Sequence, residues 1–306
     1  MSVAVKLGSY AVVLAVVLAG GAAVGAAVGP RDDGEAAETT HQVDTPATPG
    51  EGSDMPTGLS ASDAGYTFAP HDTTFTPGIA ESFTFRILGP AGQAVTDFDT
   101  RHDKDLHLVV VSDDLADYQH LHPALSGDGT WSTELGLPRA GGYRAYADFA
   151  AVGAEPVTLG ADLTAAGELA PKPLPAPASI ATVAGYDVRL DGSVTIGADA
   201  ELRFTVLHGG QPVHDLEPYL GAFGHLVAIR ATDHAYLHVH PTDASSPQEV
   251  VFAVHVPSPG AYRLFLDFQH EGVVHTAAFT LDVPPGAGAV PAGGTAHEDE
   301  AGHGGH

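Results

Sequence analysis

The chain has 306 residues, 44% of them apolar, and a formal net charge of −26. Cysteine is absent and methionine occurs twice, which excludes disulfides, thiolate zinc sites, iron–sulfur clusters, cysteine nucleophiles and a thioether-rich Cu(I) site. Residues 66–283 hold 27 Asp and Glu against 10 Lys and Arg, so the surface repels nucleic acid and gathers cations.

Lys6 precedes an uncharged stretch over residues 7–30, densest in apolar residues at 11–19. Residues 1–29 thus read as a membrane anchor, with a cleaved signal segment as the alternative. The lone Lys on the short side places that side in the cytoplasm. The remainder is then extracytoplasmic, held at the cell membrane by a single pass, or secreted if the segment is cleaved. Residues 30–65 are acidic and rich in Thr, Pro, Gly, Ser and Ala, the composition of a disordered linker.

Two segments of near-equal length follow, 66–165 and 184–283, and they are copies. Gly92-Gln-Ala-Val-Thr-Asp97 matches Gly210-Gln-Pro-Val-His-Asp215, and the run from Gly142 to Phe149 matches that from Ala261 to Phe268. A Pro-rich linker at 166–183 separates them. A Gly/Ala-rich tail at 284–306 ends with His297, His303 and His306 and reads as disordered. Each copy breaks into short β-branched and aromatic runs between Gly, Pro and Asp. In the first these are 82–88, 106–111, 118–122, 131–135, 143–149 and 157–163. The expected fold is all-β: two tandem immunoglobulin-like β-sandwich modules after a transmembrane helix and a disordered stalk.

Both copies carry one histidine pattern. His107 is followed after thirteen positions by His120-Leu-His122-Pro123, and His225 after the same interval by His238-Val-His240-Pro241. Tyr118 and Tyr236 stand two residues before each pair. Side chains alternate along a strand, so Tyr118, His120 and His122 share a face, as do Tyr236, His238 and His240. A hairpin turning near Asp114 brings His107 onto that face, where opposed residues lie about 5 Å apart at Cβ. Three imidazoles can then meet one ion, which predicts one metal site per module: His107, His120 and His122, then His225, His238 and His240. The competing reading is three packed structural histidines, which are hard to satisfy without an acceptor or a metal.

His102, His270 and His275 are additional candidates for one site only, and His102 has Leu220 as its counterpart. Asp148 and Asp267 share a strand face with Arg144 and Arg263 and read as solvent-side ion pairs. No Gly-x-Ser-x-Gly, His-Glu-x-x-His or phosphate-binding glycine loop occurs, and no catalytic role is expected.

The stretches from His107 to Pro123 and from Tyr219 to Pro241 resemble those of a family of exported bacterial proteins associated with heavy metals, chiefly copper. The modules are loosely similar to small periplasmic copper-carrier β-sandwiches, whose N-terminal histidine ligand has no equivalent here. The expected function is binding of a divalent transition metal, Cu(II) or Zn, for buffering, delivery or sensing outside the cytoplasm, with a membrane metal transporter as a partner. A cupin-like metalloenzyme and an adhesive or interaction ectodomain are the alternatives. A cupin would place a Glu shortly after the His pair, where Pro123 and Pro241 stand.

Overall fold

The computed structural model describes residues 56–237, 239–286 and 288–292. The expected anchor at 1–29 and the tail histidines lie outside the described residues. Among the described residues no helix is long and apolar enough to cross a membrane.

The first module runs β1 (Ser62–Asp63), β2 (Tyr66–Pro70), β3 (Thr74–Phe75), β4 (Ala80–Leu88), β5 (Leu106–Ser112), β6 (Tyr118–Leu121), β7 (Ala124–Leu125), β8 (Thr130–Gly136), β9 (Gly141–Phe149) and β10 (Val157–Ala165). Every run read from the sequence in this module falls on a strand, the third ending at Leu121 and leaving His122 just beyond it. They form two sheets, β1-β2-β4-β8-β7 and β3-β10-β9-β5-β6, with β3 parallel to β10 and all other pairs antiparallel. The second module runs β11 (Ile180–Val183), β12 (Tyr186–Val194), β13 (Asp199–His208), β14 (Gln211–Pro212), β15 (His225–Arg230), β16 (Tyr236–Leu237), β17 (Val239–Pro241), β18 (Val250–His255), β19 (Gly260–His270), β20 (Val273–Val283) and β21 (Val290–Pro291). Its sheets are β11-β12-β13-β18-β17, with β14 on β13 and β21 on β12, and β16-β15-β19-β20.

This order is that of an immunoglobulin-like sandwich, and a local device supports it in both copies. The Tyr143 hydroxyl donates to the Arg139 carbonyl at 2.9 Å, and the Tyr262 hydroxyl to the Ser258 carbonyl at 2.7 Å. Each is a tyrosine corner at the start of the strand that leads back along the inner sheet. Alternate residues of facing strands fill each core: Phe68, Phe83, Phe85 and Trp131 in the first, Phe204, Phe252, Phe268 and Phe279 in the second.

A third apolar layer lies between the modules. Val109, Val111 and Tyr146 of the first pack against Val227, Ile229 and Phe265 of the second, with Leu115 and Tyr236 completing the cluster. The β5–β9 and β15–β19 sheets are therefore covered on both faces. This explains why β5 is buried throughout and reads as a continuous apolar run rather than an alternation.

Parts of the segments expected as linkers are built into the modules, while 30–55 lies outside the described residues. Within 30–65, the backbone of Thr57 bonds that of Tyr236 in both directions, at 3.3 and 3.0 Å, and Gly58 accepts from the Arg144 guanidinium. Glycine is required opposite, because a Cβ on Gly160 would stand 1.9 Å from the Gly58 carbonyl oxygen. Within 166–183, Ala170 and Lys172 bond Arg139 and Asp114, and residues from Ile180 onward form β11. The segment from 284 onward is likewise not all tail, since β21 pairs with β12 and buries Val290 and Ala292 in the second core.

Candidate metal centre

Strand β5 sends Leu106, Leu108 and Val110 into the first core and His107, Val109 and Val111 to the other face, towards the second module. The turn to β6 is held by Ser112, whose hydroxyl donates to Asp114 at 2.6 Å and accepts from the Asp117 amide at 3.0 Å. The register sets Val109 opposite His120 and Val111 opposite Tyr118. The hairpin expectation holds, and Tyr118 and His120 share the face of His107.

The second module arranges the same motif differently. Strand β16 pairs with β15 only through Tyr236 and Leu237, and Val239–Pro241 pairs with β18 in the opposite sheet. In the first module the chain stays beside β5 through Leu121, and only Ala124 and Leu125 reach β8. The longer β17–β18 ladder draws the strand away early. His240 therefore lies exposed opposite Ala253, whereas its counterpart His122 stays beside His107 and His120. His238 lies outside the described residues.

The described histidines consequently do not form one set per module. His107 and His120 of the first module meet His225 of the second, with one ligand nitrogen from each lying within 4.8 Å of the others, a cluster able to coordinate a metal ion. The His107 and His225 rings stack with centroids 5.2 Å apart, and His120 is 4.7 Å from His225. His122 adjoins His120 at 4.8 Å and His107 at 5.2 Å. Its Nε2 is buried with no hydrogen-bond partner among the described residues. His102 reaches the cluster edge, 5.6 Å from His225 and 6.0 Å from His107. It does so from a tight turn in which the Arg101 and Lys104 backbones bond each other and His102 and Asp103 have φ of 48° and 61°.

Nε2 of His107 is 3.1 Å from the Arg101 carbonyl oxygen, which can only accept, so that nitrogen carries the proton and Nδ1 keeps its lone pair. Nδ1 in turn lies 3.1 Å from Nε2 of His120. Two imidazole nitrogens on one ion at about 2.05 Å stand about 2.9 Å apart in a square arrangement and about 3.3 Å apart in a tetrahedral one. The observed spacing falls between these limits.

Burial disfavours the charged form of His107, His122 and His225. His107 is lowered to about 4, first by burial and then by the nearby His120. His122 is lowered to about 3 by burial, His120 and His107. His225 is held well below the ordinary imidazole range by burial and by His120, His107, His102 and His122. Neutral imidazole is the form that ligates a metal.

The two aspartates are not surface ion pairs. Asp267 is 2% exposed and lies opposite His225 across the β15–β19 ladder. Its Oδ2 accepts from the Tyr118 hydroxyl at 3.0 Å and lies 2.9 Å from Nδ1 of His120, while Oδ1 accepts from Thr276 at 2.5 Å. Asp148 occupies the equivalent place opposite His107 and accepts from Thr158 at 3.0 Å. Arg144 pairs instead with Asp162, and the buried Arg263 donates to Thr280. The available signal was the duplication: both copies place an Asp in the strand beside the first motif histidine. His270 stands apart from the cluster, between the Tyr186 hydroxyl at 2.8 Å and Asp215 at 3.2 Å, and His275 packs on Tyr186.

The domain of unknown function DUF8832 matches residues 60–166 and again 181–285. The chain belongs to the DUF8832 family. Each DUF8832 copy corresponds to one sandwich, and the centre lies between the two. No curated protein matches the chain. Among solved structures, the Escherichia coli adhesin FdeC is 16% identical, with 72% of this chain and 65% of that one covered at a TM-score of 0.26. A DUF4426 family protein of Pseudomonas aeruginosa PAO1 is 12% identical over 35% of this chain and 96% of its own, also at 0.26. The bacterial integrin-binding protein invasin is 13% identical over 71% of this chain and 39% of its own, at 0.21. The fold assignment rests on the strand order and the two tyrosine corners.

Proposed function

We propose that this protein holds one divalent transition-metal ion, Cu(II) or Zn, in a centre shared by its two modules. His107, His120 and His225 are the ligands and His122 is the fourth, closing one. The observation that carries this reading is the pair of facing nitrogens on His107 and His120, 3.1 Å apart beside His225. Imidazole donors without sulfur suit Cu(II), Zn or Ni. His107 and the His120 side chain are each 3% exposed, His225 and His122 are half-buried, and with His122 as the fourth ligand the set is closed by protein donors. A closed set favours holding an ion over catalysis on one, since a catalytic ion keeps an open position.

The acidic surface supplies cations to the site, and the N-terminal segment anchors the modules outside the cytoplasm, where they buffer the ion or deliver it to a membrane transporter. This role agrees with the sequence resemblance to exported copper-associated proteins. Titration of untagged protein with Cu(II) and Zn(II), followed by metal analysis, tests it. One tight site per chain that is lost in a His107→Ala, His120→Ala double variant is expected. Binding unchanged by that pair of substitutions would refute the assignment.

A further inference from the structure

The first module cannot complete this centre, and His225 is only part of what the second module supplies. Asp267 is a buried carboxylate on β19 whose three close neighbours are Tyr118, His120 and Thr276. Two of these belong to the first module. Nδ1 of His120 faces the carboxylate at 2.9 Å, and Nε2 of the same ring faces His107 and the ligand cluster. A proton on Nδ1 leaves the lone pair on Nε2, which is where an ion would meet it. Tyr118 bonds the same oxygen and stacks on Phe265, two residues before Asp267 on one strand face, so the carboxylate is fixed in place as the sheets dock.

We infer that Asp267 is the positioning residue of the centre: supplied by the second module, it sets the tautomer and ring orientation of a ligand that the first module carries. This rests on the shared-centre reading. It adds that a module-one ligand is made competent by a module-two carboxylate, so His120 is oriented for metal only in the docked chain. Removal of such an outer carboxylate weakens metal binding about 10–100-fold while leaving the ligands intact.

The test uses the full chain and Zn(II), by chelator competition, on the wild type, Asp267→Asn and Tyr118→Phe. Tyr118→Phe removes a donor to the same oxygen without touching His120, and so reports the structural part of the network. The inference expects a loss of about 10–100-fold for Asp267→Asn and less than about threefold for Tyr118→Phe. Equal losses in the two variants, or none for Asp267→Asn, would overturn it while the shared centre stands. If Asp267→Asn does not fold, nitrogen-15 histidine spectra of Zn(II)-loaded wild type decide the matter. His120 must be protonated at Nδ1 and metal-bound at Nε2; metal on Nδ1 would overturn the inference. A wild type that binds no Zn(II) or Cu(II) would overturn the centre itself and this inference with it.

Discussion

Tyr118 of the first module lies flat on Phe265 of the second, their ring centroids 4.2 Å apart and their planes 11° from parallel. A second contact relates the equivalent strands, β16 and β9, in the opposite sense, Tyr236 against Tyr146 at 5.3 Å. The two modules thus face each other across an approximate two-fold, each placing the tyrosine before its histidine pair on the other's sheet. Phe265→Ala removes a ring that is 2% exposed and should cost about 3–5 kcal/mol. The check is urea unfolding combined with amide exchange. Protection should fall on both β5–β6 and β15–β19, whereas a loss confined to the second module would argue against a common interface.

His122 combines a buried, unpartnered nitrogen with a place beside two ligands. A buried unsatisfied polar atom costs about 1–3 kcal/mol. His122→Leu should therefore raise the thermal stability of metal-free protein and lower its affinity for Zn(II). A variant that loses stability without metal would remove His122 from the set of closing ligands.

The asymmetry of the two motifs makes a sharp comparison. His225→Ala should abolish tight binding, and His240→Ala, on the exposed edge strand, should leave it within about twofold. Calorimetric stoichiometry should read one ion per chain. Two equal sites would restore the one-per-module arrangement.

In metal-free protein the buried imidazoles set the response to acid. Their folded values lie below 6.5, with His107 near 4, so under pH 6.5 the unfolded chain takes up protons that the folded chain refuses. Stability should fall from about pH 6.5 to about pH 4, by about 1.4 kcal/mol per unit for each such group inside its window. Denaturant midpoints at pH 7.5, 6 and 5 check the sign. A midpoint that rises on acidification would mean the histidines are charged in the fold.

Truncation after Ala292 removes the tail histidines and should change neither folding nor tight metal binding. Truncation after Val283 removes β21 together with buried Val290 and Ala292, and should lower the melting temperature by several degrees. Loss of tight binding in the longer fragment would move the metal site to the tail.

Much of this architecture was legible in the chain. Short runs between turn residues located the strands of the first module, and the paired motifs located the hairpin that carries His107 and His120. The unbroken run from Leu106 to Val111 also held a clue to the second covering layer, since a strand apolar on both faces has neighbours on both. The partner of that layer was not legible, because pattern within one copy says nothing of which outer face meets which. Asp267 was misread for the same reason: alternation placed it with Arg263 on a face taken for solvent, and only docking makes that face an interior. The early departure of the strand at Val239 follows its pairing with β18 in the opposite sheet, a difference that matching motif spacing conceals.

The Pro-rich segment, bonded to Arg139 and Asp114 through Ala170 and Lys172, bears on how the centre assembles. It is a short tether already laid along the first module, and it keeps the second close by. Two separate proteins offering these histidines would meet according to their concentrations. Here the encounter is internal, at an effective concentration of about millimolar or more. The affinity of the centre should therefore be indifferent to dilution of the protein.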